Sequence, residues 1–314
     1  MRIRKLKWVV PCVLLTVASA AASAAPERAP SARVVLPVYD AGEVQTVCAA
    51  AMEKARQQIG EIESVPVAKV NIANTIDAWN RMSIGAENAI DLIYLLGSVH
   101  TDKAVRDAAD ACILKATEMR TEFMQREALY RRFIAVEPAA THARKLKRDL
   151  LEEFEDTGVA LGAEARSRVK VIINRLEELR QEFDRNVRDN KTRLAFTPDE
   201  LRGMPQDYLD KAKRDDKGNY LLGFDYPDYI PFMANAEGEA ARKRYYVAFQ
   251  NRGGERNLAI MNEIARMRLE MAKLYGLPSY AHFVIRRRMA EKPESVAAFL
   301  DGVKDAVRGL EKRE

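Results

Sequence analysis

Residues 256–278 read RNLAIMNEIARMRLEMAKLYGLP, and this stretch decides the fold class. Leu258, Met261, Ala265, Leu269 and Ala272 recur at spacings of three and four, the period of one helical face. Ile260, Ile264, Met267, Met271 and Leu274 form a second such stripe, which predicts a helix packed from more than one side. Gly276 fits the left-handed position after a helix and Pro278 blocks continuation, so the end is marked. Ser279 is placed to cap the next helix.

The same period runs outward in both directions. Asp40 can N-cap a helix whose inner face is Val44, Val47, Cys48, Ala51 and Ala55. Helical patterns follow at about 68–96, with Ile72, Ile76 and Trp79, and at about 102–134, bounded by Pro138. The span 142–187 carries Val169, Ile172, Leu176, Leu179, Phe183 and Val187, and Gly158 and Gly162 should split it in two. Thr197-Pro198-Asp199-Glu200 starts a short helix, and residues 238–250 form another before a turn at Gly253-Gly254. The last pattern begins near Pro293 with Val296, Phe299, Leu300, Val303, Val307 and Leu310, and no stop signal follows it. Periodicity fails only at 215–233, where Asp216-Lys217-Gly218-Asn219 is turn chemistry. A small β-hairpin or extended excursion is predicted near 218–232. With 47% hydrophobic and 31% charged residues but only 15 Gly and 12 Pro in 314 residues, the expected class is all-α.

The N-terminus is different. Arg2, Arg4, Lys5 and Lys7 precede the apolar run WVVPCVLLTV at 8–17 and the small-residue tail ASAAASAA at 18–25. This reads as a secretory signal peptide over 1–24, followed by an extended leader at 25–39. Pro11 and the Ala/Ser tail argue against an uncleaved membrane anchor, and Cys12, inside the apolar run, argues against lipidation. Cleavage removes four positive charges from a net +5 and leaves +1, so the basic pI of about 9.0 does not indicate a nucleic-acid partner. Export to an oxidising compartment, the periplasm, is expected, with no stable membrane insertion afterwards. Cys48 and Cys112 then either pair or serve as small buried hydrophobes, and sequence does not choose between these.

Chemistry is hard to find. A zinc hydrolase most simply presents two His four residues apart on one helix with Glu beside the first. The only histidines are His100, His142 and His282, far apart and without that neighbour. No nucleophile elbow or phosphate-binding glycine loop occurs, and the order of residues around 215–220 does not suit an EF-hand. RGGER at 252–256 reads as a turn, and Arg144, Lys145, Lys147 and Arg148, with acids just after them, as a solvated face.

Several separated blocks nevertheless resemble one family. LEELRQEFDRNVRDN at 176–190 followed by LAFTPDELRGMPQDYLDKAK at 194–213, YLLGFDYPDYIPFM at 220–233, and the long block from Arg256 to Leu300 are similar to segments of thimet oligopeptidase, oligopeptidase A and peptidyl-dipeptidase Dcp. The resemblance is clear over roughly half the chain, while residues 40–157 are compatible but generic. It implies an almost wholly helical fold with two lobes around a channel for short peptides, and zinc held by His-Glu-x-x-His and a later Glu. No position here matches that motif. No catalytic, cofactor-binding or metal residue is therefore carried over, and the chain alone is expected neither to bind catalytic zinc nor to cleave peptides. The implied organisation is a helical region at 40–190 and the start of the peptidase-family domain at 191–314, truncated before the zinc motif. Its partners would be short peptides and the missing catalytic part. The alternative is a non-catalytic helical peptide-binding or partner module.

Overall fold

Asp40 caps the first helix as its sequence position predicts: its carboxylate accepts from the Glu43 backbone N–H at 2.8 Å, and Glu43 reaches back to the Asp40 N–H at 2.9 Å. The computed structural model describes residues 37–313. The signal-peptide and lipidation readings, and nearly all of the extended leader, lie outside the described residues.

Helices dominate. The first, α1 (Ala41–Ser64), packs on α2 (Ile76–Val99) and α3 (Lys103–Met124), which also pack on each other. Then come α4 (Glu127–Ala135), α5 (Thr141–Asp156) and α6 (Ala163–Arg188). The first five helices share one core, in which Trp79, Phe133 and Phe154 lie with ring centroids 5.5 to 5.7 Å apart. Cys48 and Cys112, each only 3% exposed, form a disulfide between α1 and α3 with Cα atoms 6.0 Å apart. Of the two readings of these cysteines, the structure takes the bridge.

Two of the helices differ from the periodicity reading. The chain does not become α-helical at 68: Asn71 and Asn74 each accept the other's backbone N–H through their side-chain oxygens, and α2 waits until Ile76. The stretch 102–134 is two helices rather than one. Gln125, between them, donates its amide to the Thr157 and Arg166 carbonyls at 2.8 and 2.9 Å. These long-range bonds fix the break. The Gly158 interruption is as expected, at φ 100° between α5 and α6.

After α6 the chain forms strand β1 (Leu194–Phe196), the short α7 (Gln206–Leu209), strand β2 (Tyr220–Leu222), α8 (Tyr226–Asn235) and α9 (Glu239–Gln250). The hairpin expected near 218–232 is only partly there. Tyr220–Leu222 is a strand, but its ladder partner is Leu194–Phe196, antiparallel, with only a single bridge to Arg214 closing the local turn. Residues 226–235 are helical: Pro227 sits in the first turn, where its missing N–H costs nothing, and Phe232 is fully buried against Phe196 and Tyr245. Gly203, at φ 88°, lies so close to the Asn235 carbonyl that a Cβ there would meet it at 2.2 Å.

The chain closes with α10 (Gly254–Leu274), α11 (Tyr280–Ile285) and α12 (Pro293–Glu311). Antiparallel packing of α10 on α6 buries Ile260, Met271 and Ala272 together with Val169 and Ile172. Three ion pairs line this seam at seven-residue intervals: Arg168 with Glu270, Arg175 with Glu263, and Glu182 with Arg256. Among the described residues no helix is long and apolar enough to cross a membrane.

Candidate functional site

The segment after α11 is anchored by an arginine clamp. Gly276 takes φ 70°, and the Leu277 N–H returns to the Ala272 carbonyl at 3.0 Å, a Schellman-type end for α10. Ser279 caps α11 by accepting from the His282 N–H. Past α11, Arg286 and Arg287 both reach Asp156 at the end of α5, and Arg287 also takes Glu155 at 2.8 Å. Burial pushes the Asp156 carboxyl up, against the pull of the two guanidiniums. Burial, followed by its hydrogen bond to Glu155, pushes the Tyr130 hydroxyl up to about 12. The Tyr275 hydroxyl donates to the Glu155 and Asp156 carbonyls, so the clamp joins α5, α10 and the segment after α11.

From this clamp α12 projects with its apolar stripe uncovered. Phe299 is 69% exposed, Leu300 58% and Leu310 53%, and no side chain of α12 is buried. On α10 the stripe Ile260, Ile264, Met267, Met271, Leu274 is the one turned to α6. The other stripe remains exposed at Leu258, Met261 and Leu269, with only Ala272 buried. Two stripes predict a helix packed from more than one side; among the described residues one side is packed. Apolar surface on two consecutive long helices is what an interface with further polypeptide looks like.

A second feature lies beside the strands, a cleft of about 500 Å³ lined by Arg193, Tyr208, Lys211, Lys213 and Asp228. Asp228 organises it: the Tyr208 hydroxyl donates to one carboxylate oxygen at 2.9 Å and the Gly223 N–H to the other at 2.8 Å. Burial, then the hydrogen bond to Asp228, pushes the Tyr208 hydroxyl well above its usual range, so it stays a donor. The arrangement can bind polar groups but contains no nucleophile with an adjacent base.

The three histidines are not brought together. His100 caps the end of α2 and accepts the Asp102 N–H at Nδ1, His142 lies in the first turn of α5, and His282 sits between Ser279 and Glu294 on α11. Among the described residues no group of three or more His, Cys, Asp or Glu is placed to hold a metal ion. The donors present do not fit the zinc implied by the family resemblance.

Comparison with known proteins places the uncovered helices in context. The pattern of peptidase family M3 matches residues 232–314, the segment that contains α10, α11 and α12. Over that segment the chain resembles peptidase family M3. It is 31% identical over 227 residues to oligopeptidase A of Haemophilus influenzae, covering 66% of this chain and 33% of that protein. It is 26% identical over 259 residues to a thimet-like oligopeptidase of Dictyostelium discoideum, covering 79% of this chain and 38% of that protein. Saccharolysin of Saccharomyces cerevisiae is 26% identical over 262 residues, with 79% and 37% covered. The matched part of the chain thus spans about a third of the length of these relatives. The exposed α12 stripe is legible as a helix face, and its exposure is expected from the resemblance to longer peptidases rather than from any local pattern. Tyr208 and Asp228 escaped notice because their pairing depends on α7 and α8 meeting, which no local pattern encodes.

Proposed function

We propose that this chain is the N-terminal helical part of a zinc-dependent oligopeptidase that hydrolyses short peptides, exported to the periplasm, with the metal chemistry supplied by polypeptide outside these 314 residues. The observation that carries the reading is the uncovered α10 and α12 face lying within the segment that matches family M3. In relatives about twice as long, where 79% of this chain aligns with 38% of one protein and 66% with 33% of another, a further layer of chain is available to cover such a face. Residues 191–314 would then begin the peptidase-family domain, and 40–190 would buttress it through α6 and the arginine clamp. Export is supported by the basic and apolar opening of the sequence and by the buried Cys48–Cys112 bridge, which needs an oxidising compartment.

The chain's own contribution is positioning. It packs α10 on α6 through Val169, Ile172, Met271 and Ala272, flanked by three ion pairs, and leaves general acid, base and metal roles to the remainder. Reading the transcript downstream of this coding segment tests the proposal. A continuation, in frame or after one frameshift, into a His-Glu-x-x-His codon pattern is expected. A stop with no such continuation would instead favour a helical peptide-binding module.

A further inference from the structure

The outer junction of α2 and α3 is an unfilled apolar groove. Trp79, Ala86, Ile90 and Tyr94 on α2 face Ala116 and Met119 on α3 across a space of about 260 Å³. Trp79 and Tyr94 are fifteen residues apart on one helix, so at the α-helical rise the groove runs about 22 Å. A groove of that length between two helices suits a row of side chains from one helical face. Ala86 and Ala116 keep the floor low and allow close approach of a backbone.

The rim supplies the sign of the partner. Glu87 and Asp91 stand one turn apart on the same edge of α2, both exposed, and neither has an ion pair or side-chain hydrogen bond among the described residues. Like charges four residues apart on a helix repel each other. The cation on the opposite edge, Arg120, is already paired with Glu153. The rim therefore presents uncompensated negative charge beside an apolar trough.

We propose that this groove docks an amphipathic helix that inserts apolar side chains at i and i+4 spacing and lays a Lys or Arg edge against Glu87 and Asp91. The acidic rim disfavours an anionic membrane as the occupant.

The test uses the full chain and a fluorescein-labelled Leu/Lys helical peptide of about five turns, followed by fluorescence anisotropy. Saturable binding is expected, weakened about tenfold or more by E87K/D91K and by raised salt. A Leu/Glu peptide of the same length should not bind. The filling variant A86L/A116L, confirmed folded by circular dichroism, should also abolish binding. Absence of Leu/Lys binding, equal affinity after E87K/D91K, or equal affinity for the Leu/Glu peptide would each overturn the proposal. So would capture of the chain by phosphatidylglycerol vesicles that the Leu/Lys peptide fails to compete.

Discussion

Replacing both Cys48 and Cys112 by alanine removes the one covalent tie between α1 and α3 among the described residues. The bridge closes a loop across a sequence separation of 64. In the chain-entropy account, a loop of that length restricts the unfolded state by about 4 kcal/mol at 25 °C. Native domains are stable by only about 5–15 kcal/mol, so the loss is a large share of the total. Both sulfurs are buried, so alanine leaves small voids that add to the cost. The assay is urea unfolding of the exported chain, oxidised, reduced, and as C48A/C112A, followed by far-ultraviolet circular dichroism. The oxidised form should unfold at clearly higher urea, with the reduced and double-alanine forms close together. Alkylation before reduction should leave Cys48 and Cys112 unlabelled. Equal stability of oxidised and reduced chains, or labelling of both thiols before reduction, would refute the reasoning.

Other perturbations follow from the same contacts. Gly203→Ala forces a Cβ against the Asn235 carbonyl at a positive φ, and should cost about 1–3 kcal/mol or more in urea unfolding. Phe299→Asp with Leu310→Lys on the uncovered α12 face should leave the melting temperature nearly unchanged while raising solubility, measured by the concentration at which light scattering sets in. Hydrogen bonds from Arg256 and Arg168 hold the Glu182 and Glu270 carboxyls below the usual glutamate range. Their contribution is therefore complete above the ordinary value of about 4.5 and is lost as the pH falls through the lowered values. A pH series of thermal melts should show this acid loss, and it should shrink at high salt because the pairs are exposed.

How much of this was legible depends on whether the deciding interaction is local. The end of α10 was readable because Gly276, Leu277 and Pro278 act within one turn, and the Asp40 cap because Glu43 is three residues away. The break between α3 and α4 was not, since Gln125 acts through carbonyls 32 and 41 residues distant. The β1–β2 pairing was masked by the turn at 215–219, which points to a local hairpin while the ladder forms with 194–196. The cysteine pair hinged on the separation of two helices, a distance no sequence pattern states. At the candidate site, the apolar stripe of α12 was visible residue by residue, but its exposure is a property of what surrounds it.

The central claim is that this chain builds a helical wall and leaves the metal of an M3-type peptidase to other residues. Zinc content by plasma mass spectrometry on the purified chain, with peptide cleavage measured before and after chelation, tests it most directly. The account predicts zinc far below one ion per chain and no chelator-sensitive cleavage. One tightly held zinc per chain, bound through His100, His142 or His282, would contradict it.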